Sequence, residues 1–294
     1  MTIAITAPTG NIGSSLVKHL LAANADLILL LRNPDKLDPS VRSRVKTAQG
    51  ELQDAAFVQR ATEGVETLFW LTPSDPTTSD LRAWYDRMGA NAAQAVQSSG
   101  IARVVNLSSA GAQLPKAGPV SGLGQVEKNL NATSAAIVHL RPGYFMENAL
   151  MQLDSLRHRN SLFAPGAGDV PFPQIATRDI AEAAARLLLD PAWTGQRIHG
   201  LHGPADLTFD AAVSIFSAVT GREIRYVPIP PEQALQAFLG MGLSPAFAEG
   251  YLDMYASLAQ PGAVAEPRTL ETTTPTTLER WTREVLKPAL DTAA

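Results

Sequence analysis

The chain opens with a strand that feeds a tight turn and then a helix, "TIAITAPTGNIGSSLVKHLL", and no other stretch limits its fold as strongly. The apolar run alternates up to Thr6. Gly10 and Gly13 then stand at the second and third glycine positions of a nucleotide-binding turn, and Ile12, Leu16, Leu20 and Leu21 share one helical face. A turn of this kind gathers free backbone N–H groups and the positive end of a helix dipole at one point. A dinucleotide pyrophosphate fits there. Gly10 allows the pyrophosphate to approach the backbone, and Gly13 allows the helix to pack close to the strand. Ala7 occupies the position where the first glycine is usual. Alanine is the smallest departure, and the turn tolerates it if φ at Ala7 stays negative.

The pattern repeats downstream. "DLILLLR", "RVKTAQGEL", "VETLFWLT", "ARVVNLSS" and "AAIVHLRP" each contain a strand-length run, and amphipathic stretches separate most of them. The longest predicted helix runs from about Asp80 to Ser99 and stops at Gly100. Such alternation predicts an α/β fold with a doubly wound, mostly parallel sheet. After Pro142 the loops lengthen and gain Pro and Gly. We expect a dinucleotide-binding domain over 1–150 and a small C-terminal α/β lobe over 151–294, with some later segments rejoining the main domain.

The strand after the turn identifies the nucleotide. An acidic residue at its end would hold the ribose hydroxyls of NAD. Here Arg32 stands there, followed by Lys36, and the first carboxylate, Asp35, comes three residues on. A guanidinium pairs with a 2′-phosphate through two charge-assisted bonds. The expected cofactor is NADP(H), with NAD(H) the less favoured alternative.

Composition removes other classes. With no cysteine, the chain has no disulfide, thiolate nucleophile or thiolate metal site. A net charge of −4 and no run of Lys and Arg argue against nucleic acid. No apolar stretch approaches the roughly 20 residues of a membrane span, and the first apolar run lacks a signal-peptide pattern. The expectation is a cytoplasmic protein acting on a small molecule, from a GC-rich bacterial genome by its abundant Ala and scarce Lys, with a homodimer left open.

Taken in order, "ITAPTGNIG", "LLRNPDKL", "GELQD", "VVNLSSAGA", "LRPGYFMEN", "TRDIAEAAARLLLDP" and "GPADLTFDAA" resemble the NmrA-like group of atypical short-chain dehydrogenase/reductase proteins. The resemblance spans nearly the whole chain. It implies a Rossmann-type domain that binds NADP(H), with a C-terminal lobe shaping the substrate cleft. It further implies that Thr9, Gly10, Asn11, Ile12 and Gly13 hold the pyrophosphate, and that Arg32 and Lys36 meet the 2′-phosphate. Leu52 would line the adenine. Leu71, Thr72 and Pro73 would border the nicotinamide ribose, and Pro142 to Phe145, including Tyr144, would lie near the nicotinamide ring.

The catalytic pair of classical relatives is missing. They use Tyr-x-x-x-Lys on the helix after the fifth strand, together with a serine at that strand's end. Ser108 and Ser109 are present, but "PVSGLGQVEKNL" has no Tyr. Many members of the family carry a lysine four residues before the position of Glu127. This chain has Leu123 there, and Lys128 falls on another face. Three readings stay open. The first, which we favour, is a reductase for a small apolar or aromatic carbonyl or quinone, with Ser109 and Tyr144 as candidate catalytic groups. The second is a non-catalytic NADP(H)-responsive sensor. The third is a tailoring enzyme acting on an aromatic, polyketide-like substrate.

The remaining candidates are few. His139 and Trp70 lie inside strands and read as core. His199 and His202 have the spacing of a metal pair but no acidic partner motif, so no metal is expected. His158 reads as surface. Trp84 and Tyr85 are expected to face the cleft or a partner subunit. The run "ALQAFLGMGLSPAFAEGYLDMYASL" offers Met241, Phe247 and Tyr251, with Phe145, as an apolar substrate wall.

Overall fold

The computed structural model describes residues 1–292. Seven parallel strands form the main sheet. In chain order they are β1 (Thr2–Thr6), β2 (Asp26–Leu31), β3 (Lys46–Gln49), β4 (Thr67–Leu71), β5 (Arg103–Leu107), β6 (Ala136–Pro142) and, far later, β10 (Gln196–Leu201). Across the sheet the order is β10-β6-β5-β4-β1-β2-β3, so the winding reverses between β1 and β4. The crevice at that reversal is where doubly wound sheets bind their ligands.

Two apolar layers cover the sheet. On one face α1 (Asn11–Ala22) and α7 (Thr177–Leu189) bury Leu16, Leu20, Ile180, Ala184 and Leu188 against Ile3, Ile5, Leu29 and Val138. On the other, α3 (Ala55–Ala61), α4 (Leu81–Ser99) and α5 (Pro119–Asn131) bury Val58, Met88, Ala92, Val126 and Leu130 against Leu30, Leu68, Val104 and Ile137. Between β2 and β3 lies a single turn, α2 (Pro39–Arg42), with Asp38 as its N-cap. Asp80 caps α4, and Gly100 ends it in the left-handed conformation at φ 64°.

The residues after Pro142 build a third core. β7 (Tyr144–Phe145), β9 (Phe172–Ile175) and β11 (Asp206–Leu207) form one small sheet. β8 (Ser161–Pro165) and β12 (Arg225–Ile229) form a parallel pair. Around them lie α6 (Leu153–His158), α8 (Phe209–Thr220), α9 (Pro231–Gly240), α10 (Pro245–Leu258), α11 (Leu278–Trp281) and α12 (Lys287–Asp291). Leu156, Leu162, Phe209, Phe216, Trp281 and Leu286 bury together. α7 and β10 leave this lobe and return to the main sheet, with β10 pairing along the whole of β6.

Glu147 joins the two bodies. Its Oε2 accepts from the backbone N–H of Thr177 at the start of α7, and its Oε1 accepts from Trp281 Nε1, both at 3.0 Å. Asp179, two residues further into α7, does the same, accepting from the N–H and hydroxyl of Thr276.

Candidate functional site

β1 delivers the chain into the turn at residues 7–13, and the backbone there departs from expectation. Ala7 has φ 50°, in the left-handed region, rather than a negative value. The turn closes through a bond from the Gly10 N–H to the Ala7 carbonyl, 3.3 Å, which aims that carbonyl back under the helix. The turn thus keeps the backbone of a glycine while carrying an alanine, at a strain on the order of 1 kcal/mol.

The two remaining glycines serve different ends. A Cβ on Gly13 would run into the Ala7 carbonyl oxygen and would lie 2.9 Å from Pro8 Cα, so the fold itself requires glycine there. A Cβ on Gly10 would meet only the Ala7 oxygen, at an ordinary 3.6 Å, and φ at Gly10 is −79°. Nothing among the described residues requires Gly10 to lack a side chain. Thr9, Gly10 and Asn11 are exposed, Ile12 is 4% exposed, and α1 starts with no side-chain cap and no acidic residue in its first turn. The first N–H groups of α1 therefore face an open, uncapped cradle, which fits a phosphate group.

Arg32 directly follows β2. Its carbonyl accepts from Gln49 Nε2 at 3.1 Å, and its side chain is exposed. Asp35, the first carboxylate after it, is engaged by Arg42 at 2.6 Å, which leaves Arg32 and the exposed Lys36 as cations at the strand end. Leu52 is half-buried beyond β3, and its carbonyl accepts from Asn91 Nδ2 at 2.8 Å.

At the end of β4, Thr6 Oγ1 receives the Leu71 N–H at 2.7 Å, and Thr72 accepts from Trp70 Nε1 at 2.9 Å. Trp84 and Tyr85 face neither the cleft nor a partner. They are 8% and 1% exposed, because Trp84, Tyr85, Met88 and Ala92 make up the buried stripe of α4. Their polar tips hold the loop instead: Trp84 Nε1 donates to the Pro73 carbonyl at 3.0 Å, and Tyr85 Oη lies 3.2 Å from Ser74 Oγ. The small lobe clasps the same loop. Ser244 caps α10, its N–H donates to the Pro76 carbonyl at 2.8 Å, and its hydroxyl donates to the Thr78 carbonyl at 2.5 Å. Gly118, at φ 49°, lets α10 touch the start of α5 at Gly250.

The ends of β5 and β6 carry a buried polar cluster. Ser108 donates to Glu127 Oε1 at 2.5 Å. Arg141 grips Glu127 with Nε and Nη2 at 2.9 and 2.6 Å, and its Nη1 reaches Gln113 at 3.0 Å and Glu266 at 2.7 Å. Ser109 is half-buried and donates to the Ala110 carbonyl. Leu123 packs into the apolar layer under α5, and Lys128 is exposed. Sequence reasoning used Glu127 only as a landmark and missed Arg141, Gln113 and Glu266. One signal was available: an arginine ending the otherwise apolar strand "AAIVHLRP" must find a carboxylate if it is buried.

Aromatic rings gather beside these strand ends. Tyr144 meets Phe172 and Phe209 edge-on at 5.3 and 5.8 Å, and Phe209 stacks on Tyr226 at 4.8 Å. Burial pushes the Tyr144 phenol up to about 12, so it stays protonated and serves as a neutral donor, a weaker acid than free tyrosine. The phenols of Tyr251 and Tyr255 are raised by burial as well. Phe247 is 2% exposed and packs on Tyr251 at 5.0 Å, while Phe145 is half-buried against the sheet core. Met241 is 67% exposed at the end of α9 and forms no part of an enclosed wall.

The histidines are occupied elsewhere. His139 is 1% exposed and sits 3.0 Å from both Asn106 Nδ2 and Asn131 Oδ1. Burial lowers its pKa to about 4. His158 is exposed beside Asp154. His202 is buried, His199 half-buried, and no group of three metal-ligating side chains occurs among the described residues. No helix among them is long and apolar enough to cross a membrane.

Comparison with known proteins agrees with this geometry. The family model described as the NmrA-like family matches residues 1–281. An NAD(P)H azoreductase from Xenophilus azovorans is 31% identical over 265 residues, covering 90% of this chain and 89% of the relative. The NADPH complex of an Escherichia coli NADPH-dependent quinone oxidoreductase superposes with a TM-score of 0.78 at 22% identity, over 97% of this chain and 99% of that one. A Citrobacter triphenylmethane reductase complexed with NADP(H) gives a TM-score of 0.79 at 20% identity, over 96% and 99%.

Proposed function

The chain belongs to the NmrA-like family, and on that premise we propose that it is an NADP(H)-dependent reductase of small apolar or aromatic carbonyl and quinone-type acceptors. The observation that carries the reading is Gly10, a glycine that the fold does not need, placed at the uncapped start of α1. Arg32, an exposed cation at the end of β2 with no ion pair among the described residues, supports NADP(H) over NAD(H). When bound, the reduced nicotinamide supplies a hydride. The protein's part is to hold the acceptor against it and exclude water.

Tyr144, Phe145 and Tyr251 are the side chains we assign to that task, with Phe247 packed behind Tyr251 and the neutral Tyr144 phenol as hydrogen-bond donor to an acceptor oxygen. Ser109, at the end of β5, is a second donor in this reading. Without a Tyr-x-x-x-Lys pair, the proton that follows the hydride comes from water. A cytoplasmic location follows the cofactor, since such a reductase draws on a pool of reduced nucleotide.

Fluorescence titration with NADPH and NADH tests the cofactor. Arg32→Ala should cost on the order of 1–3 kcal/mol in NADPH affinity and leave NADH unchanged. Equal binding of the two nucleotides by the wild type would refute the role of Arg32. Leu123 in place of a lysine favours one competing reading, a sensor. Intact NADPH binding without NADPH oxidation across a panel of quinones, enones and azo dyes would decide for it.

A further inference from the structure

The polar cluster behind the ends of β5 and β6 is not electrically balanced. Arg141 brings one positive charge and Glu127 and Glu266 bring two negative ones, and their side chains are 6%, 7% and 10% exposed. The other members, Ser108 and Gln113, are neutral. One carboxylate oxygen, Glu266 Oε2, is buried with no partner. His202 stands beside it: a Cβ built on Gly200 would lie 2.6 Å from Glu266 Cβ and 3.0 Å from His202 Nε2. Burial holds the His202 ring below its usual pKa. Arg268, two residues after Glu266, is taken by Asp206. Excess negative charge in a dry interior is costly.

The position of the cluster suggests what the excess is for. Ser108 follows β5 directly, and Arg141 precedes the segment Pro142 to Phe145, at the strand ends where a doubly wound sheet takes its ligand. Glu127 lies one helical turn beyond Leu123, on the same face of α5. That face carries a carboxylate and no lysine.

We propose that the Glu127–Arg141–Glu266 cluster sets the oxidation-state preference of the nucleotide site, favouring the positively charged oxidised nicotinamide over the neutral reduced one. This rests on the NADP(H) reading above. Giving up a hydride, a proton with two electrons, turns a neutral nicotinamide into a cation, while the acceptor gains the hydride and then a proton from water. With the ring bound at these strand ends, fixed negative charge would lower the energy of the charged side alone and so would draw the hydride toward the acceptor.

Calorimetric titration of NADP+ and NADPH into the wild type and Glu266→Gln tests this. Glutamine keeps an oxygen for Arg141 Nη1 and removes one charge. NADP+ affinity should fall relative to NADPH by roughly three- to tenfold, as expected for one partly screened charge at an effective dielectric of about 20. Gln113→Glu adds a negative charge beside the same guanidinium and should move the ratio the opposite way. Because Gln113 is exposed, this variant decides the matter if Glu266→Gln does not fold. Loss of packing alone would weaken both forms together. A ratio within about 1.5-fold of wild type in the folded variants overturns the proposal while the NADP(H) reading stands. Failure of the wild type to bind either form overturns both.

Discussion

Gly10 and Gly13 sit three residues apart in one turn, yet the structure assigns them opposite tasks, and a pair of alanine substitutions separates them. At Gly10 an added methyl meets only the Ala7 oxygen at 3.6 Å, and φ −79° suits any residue. Restricting the unfolded chain gains about 0.4–1 kcal/mol, and the poorer capping by alanine returns a similar amount. The net change in stability should be near zero. At Gly13 the methyl collides with the Ala7 carbonyl, and forcing it in should cost about 1–3 kcal/mol. For a chain of this size that is a fall in melting temperature of roughly 2–5 °C, against about 1 °C or less either way for Gly10→Ala.

Nucleotide binding should show the reverse pattern. The methyl of Gly10→Ala would stand where the pyrophosphate approaches the start of α1, and NADPH affinity should drop by roughly tenfold or more, equivalent to about 1.4 kcal/mol. Melting of the nucleotide-free protein and fluorescence titration of NADPH read the two effects independently. If Gly10→Ala melts several degrees lower, the glycine serves the fold. If it binds NADPH like the wild type, the cradle at α1 holds no phosphate. Either result removes the main support for the functional reading.

Two further outcomes follow from side chains away from the turn. His139 is held near pKa 4 in the folded chain, against an ordinary 6.5, so below pH 6.5 the unfolded chain takes up a proton that the folded chain refuses. Stability should therefore fall between pH 6.5 and about 4, by up to about 3 kcal/mol from this residue, and urea melts of wild type and His139→Gln should diverge across that window; parallel curves would refute it. Ser244→Ala removes a helix cap and the bond to the Thr78 carbonyl, and should cost about 0.5–2 kcal/mol and raise proteolysis within residues 73–79; an unchanged cleavage pattern would show that α10 does not hold this loop.

Six of the seven strands of the main sheet were legible because their signals are local; β10 was not among them. Strand-length runs, the spacing of Leu16 and Leu20, and the stop at Gly100 each need only a few neighbouring residues to be read. Ala7 was misjudged because its φ is set by closure of the turn under α1 rather than by its own preference. Trp84 and Tyr85 were placed on the wrong side, although Met88 and Ala92, one and two turns on, mark the same buried stripe. Glu266 was beyond reach: it meets Arg141 across 125 positions, from the connection between α10 and α11, which has no periodicity. The aromatic cluster has the same origin, with Tyr144, Phe172, Phe209 and Tyr226 arriving from four separate segments.

The return of α7 and β10 to the main sheet governs the order in which the chain can finish folding. During synthesis β6 stays an open edge until residue 201 has emerged, and the groove beside α1 stays bare until α7 fills it. A fragment ending near residue 150 would expose both at once, an unpaired strand and an apolar face, and should aggregate. The nucleotide turn is made within the first few seconds of translation, at typical ribosome speeds of about 5–20 residues per second. The sheet that gives it a rigid footing closes only after some two thirds of the protein exists.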